Sequence, residues 1–393
     1  MTNTHAPMKR GGQTIRNVGF HATGVRILIL LAAATAVLAA PAATAQTTRP
    51  ASKPAHTDNA VKITPLGAHT GDFCTYDRAL LFEDPTGVRI LYDPGVSVAG
   101  GYDGRLGEVD AILVSHSHFD HLGYRKLTQN PDDPQSSCDH PQSTRISNTN
   151  TAEIAAVKNS AMLVNGSMTA FLSRKIQNLI GVPADNCNTS GVGTFGNYET
   201  VVPLSLPCTK TAAFGSLFIL TRTAGAPGVR INTVAALHSD SLYNPLLLFP
   251  ADGYGKVLDD NGLQGYDGLA NGFVLTFTNG LKAYLTGDTG AMSDMALIVR
   301  DIYHPNLTVA NMDGNNVMGP EEAAYAMKVL VRTAAVIPSH AEQAVTVNGN
   351  LIPGTPWAEF IRLLGDIPAY LPLSGRTMEF SGDAQCIAGC GQN

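Results

Sequence analysis

Residues 111–121, Ala111-Ile112-Leu113-Val114-Ser115-His116-Ser117-His118-Phe119-Asp120-His121, decide how the rest of the chain is read. An apolar run of the length of one buried strand gives way to three histidines and an aspartate within six residues. Imidazole and carboxylate are the donors expected around zinc, iron or manganese. A loop leaving a strand end can aim His116 and His118 to one side while Asp120 and His121 approach a neighbouring point. The chain has 11 histidines, of which His5 and His21 fall in an N-terminal leader, leaving nine. Three of those nine in one hexapeptide is not what composition predicts.

Outward from this stretch, further donors close other strand-like runs. Asp93 follows the run 87–92 in a Tyr92-Asp93-Pro94-Gly95 turn signal. His238 follows the apolar run 234–237. Asp288 sits in Leu285-Thr286-Gly287-Asp288-Thr289-Gly290, and His340 ends Val336-Ile337-Pro338-Ser339-His340. Strands are also expected at 61–65, 79–83, 161–164, 272–278, 281–285 and 335–337, with Asn279-Gly280 as a hairpin turn. Helices are expected over 166–179, from Pro320 with Glu321 and Glu322 in its first turn, and over 357–364. Strands and helices mixed in this way imply a layered α/β fold, sheet inside and helices outside. The polar stretches 128–150 and 243–271 read as long loops.

The ordered set His-x-His-x-Asp-His, His238, Asp288, His340 resembles the metallo-β-lactamase superfamily. That resemblance implies a four-layer αββα sandwich, two mixed sheets flanked by helices. It covers one domain at 61–383 with insertions at about 128–150, 181–215 and 243–271, followed by a cysteine-containing tail at 384–393. Gly287-Asp288-Thr289, Met318-Gly319-Pro320-Glu321-Glu322-Ala323 and Ile337-Pro338-Ser339-His340 are similar to the branch containing L-ascorbate-6-phosphate lactonase. N-acylphosphatidylethanolamine phospholipase D is a more distant member with a similar ligand order. The resemblance implies one divalent ion on His116, His118 and His238. A second would sit on Asp120, His121 and His340, with Asp288 bridging both. Zinc comes first, and manganese or iron suit the same donors. Asp120 and His121 are then catalytic, a metal-bridging hydroxide attacks an ester, lactone or phosphodiester, and Asp93 orients a ligand histidine from behind. The branch carries a Gly-His pair after its first strand, whereas this chain has Gly67-Ala68-His69. A β-lactamase-like amide hydrolase and a non-catalytic metal-binding protein are the alternatives. An aspartate at the bridging position favours lactone, ester or phosphodiester cleavage over β-lactam cleavage. Tyr243, Asn315 and His304 are polar candidates for the leaving-group acid.

The ends of the chain and its composition bound the setting. Residues 1–26 carry Lys9, Arg10, Arg16 and Arg26 and no acid; 27–40 is apolar apart from Thr35, and Ala43-Thr44-Ala45 follows. Basic, apolar, small is the layout of a secretory signal peptide at 1–45, with 46–60 as a flexible linker. An apolar run of about 14 residues is shorter than the roughly 20 that span a bilayer, so no stable membrane insertion is expected after cleavage. The expected location is periplasmic or secreted. All six cysteines (74, 138, 187, 208, 386, 390) lie beyond the leader, and three disulfides suit an oxidising compartment. Sequence alone leaves the connectivity open; Cys187–Cys208 and Cys386–Cys390 are the closest pairs. Without the leader, 26 − 4 = 22 basic residues face 32 acids, a charge of −10. That excludes a nucleic-acid partner held by phosphate contacts and points to a small-molecule substrate. The oligomeric state is not readable.

Overall fold

The computed structural model describes residues 59–127, 138–146, 148–182, 184, 187, 198–239, 241–242, 265–266 and 268–391. The expected signal peptide, nearly all of the expected linker, and Tyr243 lie outside the described residues. One sheet holds β1 (Val61–Pro65), β2 (Leu80–Glu83), β3 (Arg89–Tyr92), β4 (Ala111–Leu113), β7 (Ala161–Val164), β9 (Cys208–Thr211), β20 (Met378–Phe380) and β21 (Cys386–Ala388). The other holds β8 (Glu199–Val201), β10 (Leu217–Thr221), β11 (Val229–Ala235), β14 (Asn271–Thr276), β15 (Lys282–Leu285), β16 (Leu307–Asn311) and β17 (Ala335–Ser339). Three short pairs lie apart: β5 (Arg125–Leu127) with β6 (Ser143–Arg145), β12 (Ser241–Leu242) with β13 (Gly265–Tyr266), and β18 (Thr346–Val347) with β19 (Asn350–Leu351).

Side-chain alternation builds the layers. Ala111 and Leu113 on β4, Ala161 and Leu163 on β7, Phe273 and Leu275 on β14, and Val309 and Ile337 all enter the core between the sheets. Ile112, Val114, Met162 and Val164 point the other way, onto helices α1 (Asn150–Lys158) and α2 (Gly166–Ile180). On the second sheet Val274, Tyr284, Ala310 and Val336 face α3 (Met295–Tyr303), α4 (Pro320–Tyr325, running on into Ala326–Val331) and α5 (Pro356–Leu364). Strands covered on both faces read as unbroken apolar runs, which is why 111–114 and 161–164 lack polar alternation. The result is helix, sheet, sheet, helix.

Strand direction places the functional end. β3, β4 and β7 run parallel, as do β15, β16 and β17, and β11 shares the direction of β15 because each is antiparallel to β14. The carboxyl ends of β3, β4, β11, β15, β16 and β17 therefore carry Asp93, His116, His238, Asp288, Asn311 and His340, respectively, at their ends or just beyond them. Carboxyl ends of strands are the usual binding edge of such folds.

Three segments differ from their reading in the sequence. β17 continues through Pro338, which pairs with Ala310. It is the outermost strand of its sheet, where a residue without N–H breaks no ladder. The stretch 181–215, expected as an insertion, contributes β8 and β9, the edge strands of the two sheets. The stretch 128–150 carries β6 and the first residue of α1. Among the described residues no helix is long and apolar enough to cross a membrane.

The six cysteines form Cys74–Cys138, Cys187–Cys208 and Cys386–Cys390. Their sequence separations are 64, 21 and 4 residues. Chain-entropy closure ranks them at about 4, 3 and 2 kcal/mol. Paired Cys→Ser variants should therefore lower unfolding free energy in that order in chemical denaturation. An equal or inverted ranking would contradict the assignment of Cys74–Cys138 as the principal staple.

Candidate metal centre

The turn after β4 is made by one helical turn, Phe119–Gly123, whose first N–H groups, those of His121 and Leu122, bond back to the His118 carbonyl at 3.0 and 2.9 Å. Winding the chain there separates the motif into two pairs. His116 and His118 join His238 and Asp288 in one cluster of ligand-type atoms, and Asp120 and His121 join His340 in another. Gly95 is required opposite this turn: its φ is 50°, and a Cβ would stand 1.9 Å from the Asp120 carbonyl oxygen. Asp93 (φ 39°) and His340 (φ 71°) leave their strands in the left-handed region, a conformation non-glycine residues adopt at some cost and mostly at functional sites.

One oxygen lies at the meeting point. Asp288 Oδ2 is 3.6 Å from His116 Nε2, 3.7 Å from His238 Nε2, 3.3 Å from His121 Nε2 and 2.9 Å from His340 Nε2. Its other oxygen accepts from Asn311 Nδ2 at 2.8 Å, which fixes the carboxylate plane. Two donors each about 2.1 Å from a common ion, 90–120° apart, stand roughly 2.9–3.6 Å from one another. His238 Nε2 and His118 Nδ1 approach to 3.2 Å, and Asp120 Oδ2 stands 3.5 Å from His121 Nε2 and 3.6 Å from His340 Nε2. His116 Nε2 and His121 Nε2 are fully buried with no hydrogen-bond partner. Nitrogens left bare in this way, aimed at shared points, fit a bound cation, and the donor set of imidazoles and carboxylates is the right chemistry for one.

Behind the ligand-type atoms runs a second ring of contacts. Asp93 Oδ2 accepts from His121 Nδ1 at 2.7 Å and from Ser115 Oγ at 2.7 Å, while its Oδ1 takes the Ser115 N–H at 2.8 Å. Ser115 Oγ also lies 3.0 Å from His116 Nδ1. The chain is satisfied when both imidazoles carry their proton on Nδ1, leaving both Nε2 atoms free to ligate. Asp313 Oδ2 stands 3.4 Å from His340 Nδ1, but the two make no hydrogen bond, so His340 lacks the brace that Asp93 gives His121. Arg78, fully buried, contacts Asp120 Oδ2 directly and Glu342 Oε1 at 3.5 Å. Sequence reasoning reached Asp93 but missed Ser115, Asn311, Asp313, Arg78 and Glu342. The signals available were a serine opening the motif and a carboxylate two residues past His340.

Charges in the cluster shift strongly. Burial and the neighbouring imidazoles hold His116 well below the usual histidine range. For His121 burial works against the charge, but Asp288, Asp120 and Asp93 outweigh it and push the group up to about 10. Burial likewise opposes ionisation of Asp120 and Asp288, yet Arg78 and His121 on the first, and His121 and His340 on the second, keep both carboxyls well below their usual range.

A pocket of about 370 Å3 opens onto these atoms, lined by His118, Asp120, His238, Asp288 and His340 with Tyr76, Phe119, Ser239, Asn316 and Glu342. Tyr76 and Phe119 form an edge-to-face pair with centroids 5.3 Å apart. Of the leaving-group candidates, His304 caps α3 and Asn315 lines an adjoining pocket; neither lines this one. His69 belongs to neither donor cluster.

The architecture and the cleft define a metal-dependent hydrolase of the metallo-β-lactamase superfamily, and residues 77–175 match the family described as beta-lactamase superfamily domain. The chain belongs to the UPF0173 metal-dependent hydrolase family: it is 30% identical to a member from Cupriavidus taiwanensis over 70% of this chain and 72% of that one. A second member, from Cupriavidus necator, is 28% identical over 82% of this chain and 88% of its own length. Among solved structures, a metallo hydrolase from the archaeon Ignicoccus hospitalis matches at TM-score 0.48 and 20% identity, covering 82% of this chain and 99% of that one.

Ligation needs a neutral His121, so ion uptake by chelator-stripped protein at pH 8 should release at least one proton per chain. Because His121 is protonated below about 10, apparent ion affinity should fall as pH is lowered, by up to about tenfold per unit. Calorimetric titration in buffers of different ionisation enthalpy measures the release. Uptake without proton release would contradict the arrangement.

Proposed function

We propose that this chain is an exported two-metal hydrolase that cleaves a carboxylic ester or lactone. The observation carrying the reading is Asp288 Oδ2, within 2.9–3.7 Å of four imidazole nitrogens drawn from both donor clusters. Two cations a few ångströms apart repel, and a shared anionic oxygen is what lets them coexist. The wider charge count supports two ions as well. Asp93, Asp120, Asp288, Asp313 and Glu342 contribute −5 and Arg78 +1, giving −4, the complement of two divalent cations.

His116, His118 and His238 would hold one ion, Asp120, His121 and His340 the other, with Asp288 between them. Zinc is first choice, and manganese or iron fit the same donors. Bound ions would supply a Lewis acid for the substrate carbonyl and a water acidic enough to ionise near neutral pH. Asp120 sits on the pocket wall, where it can accept and orient the proton of a reacting water. Asn311 and Asp93 keep Asp288 and His121 from turning away. Tyr76 and Phe119 offer an aromatic wall to an acyl or ring substituent. Glu342, one-third exposed on the pocket wall, disfavours a second anion in the same space, a phosphodiester monoanion included, and tilts the reading to a carboxylic ester or lactone. This agrees with the resemblance to the branch containing the lactonase in reaction type, though not in a phosphorylated substrate.

Metal analysis with His118→Ala and Asp288→Ala tests the core. Wild type should carry two ions per chain, and both variants should lose ion and at least about 100-fold in activity on neutral lactones and aryl esters. Wild-type rates in both variants would sink the two-ion mechanism. Turnover of nitrocefin or of bis(p-nitrophenyl) phosphate in preference to every lactone would overturn the substrate class.

Export is supported by the leader-like 1–45 and by the pairing of all six cysteines. Fractionation and N-terminal sequencing of the expressed full chain should find a product beginning near Gln46 outside the cytoplasm. A full-length cytoplasmic product would refute it.

A further inference from the structure

The guanidinium of Arg78 is the one cationic side chain buried against the donor clusters among the described residues, and nothing in the reaction above uses it. Its side chain has no solvent exposure, and Nε and Nη1 have no hydrogen-bond partner. Nη2 alone is engaged, with Asp120 Oδ2 and, at 3.5 Å, with Glu342 Oε1. Burying an arginine with two idle nitrogens is a poor device for stability, since an apolar side chain of similar volume generally does as well. The contact falls on the oxygen of Asp120 that also faces His121 Nε2 and His340 Nε2, at 3.5 and 3.6 Å.

We propose that Arg78 is a positioning residue that selectively sets occupancy of the second ion position by pinning Asp120 Oδ2 toward His121 and His340. The proposal rests on the two-ion reading. Two effects of opposite sign meet at this residue. A fixed positive charge repels a cation and would weaken binding. A pinned carboxylate binds better than one free to rotate, and outer contacts of this type are worth about 10–100-fold in affinity. Positioning wins here for two reasons. The charge of Arg78 is already offset by Asp120 and Glu342 together. Asp120 also lines the pocket that opens to solvent, so once released it has room to turn outward. The aromatic ring of Tyr76 lies 6.0 Å from the guanidinium and packs beside it.

The test is titration of chelator-stripped full chain with Co2+, following stoichiometry and the visible absorption of each ion. In Arg78→Met the first ion should bind as in wild type and the second about 10–100-fold more weakly. Arg78→Lys, which keeps the charge but loses the planar fork, should fall between the two. Adding Arg78→Met to Asp120→Asn should weaken the second ion no further than Asp120→Asn alone. Unchanged or tighter binding of the second ion in Arg78→Met overturns the proposal, as does an additive loss in the double variant. If Arg78→Met fails to fold, the lysine variant decides: second-ion affinity equal to wild type overturns positioning. A wild-type plateau at one ion per chain would overturn the two-ion reading, and this proposal with it.

Discussion

The carboxylate of Asp288 is the point the rest of the structure answers to. One of its oxygens sits among four imidazoles that arrive from three separate chain segments, and the other is tied to Asn311. Gathering that many polar donors at a buried point is costly unless each has a partner. The fold meets the cost by geometry. Six strands of two different sheets end at the same edge, the segment after β4 supplying four donors and each of the others one donor or supporting group. A continuous apolar cluster fills the space between the sheets, and most of the donors lie in the loops just beyond the strand ends.

Around the donors, the supporting contacts divide by cluster. Asp93 and Ser115 steady His116 and His121 together, so the two clusters share a brace as well as Asp288. Asp313 lies beside His340 without bonding it, and its other oxygen accepts the N–H groups of Asn315 and Asn316 in the turn that follows β16. The left-handed backbone at Asp93 and His340 is the local cost of turning a side chain back over the strand end it has just left.

Much of this is legible in the amino-acid order because each donor is punctuated by a strand. The apolar run 111–114 ahead of His116, and similar runs ahead of Asp288 and His340, announce a buried strand followed by a polar group with nowhere to go but the edge. Gly166–Ile180 was readable from its apolar spacing and Asn279-Gly280 from turn chemistry. What was not legible depends on tertiary approach. Arg78 and Asp120 are 42 positions apart and meet only because β2 lies two strands from β4 in the sheet. β8 and β9 lie in a polar region whose strand character comes from pairing with β10 and β7. Cys74–Cys138 could not be chosen among the possible pairings until two distant loops were seen to touch.

The connection between β1 and β2 joins these observations. Antiparallel neighbours can be linked by two residues, yet here the chain runs from 66 to 79. Within that length it makes the Cys74 disulfide, bonds the Tyr76 N–H to the Ala341 carbonyl at 2.8 Å, and delivers Tyr76 to the pocket and Arg78 to Asp120. It departs from the Gly-His order of the lactonase branch at the start of this same connection, in Gly67-Ala68-His69. A single segment that holds no donor of either cluster thus touches the pocket wall, Asp120 of one donor cluster and the loop of His340. Changes in it can reshape the pocket wall and the Asp120 contact together while every donor of both clusters stays in place.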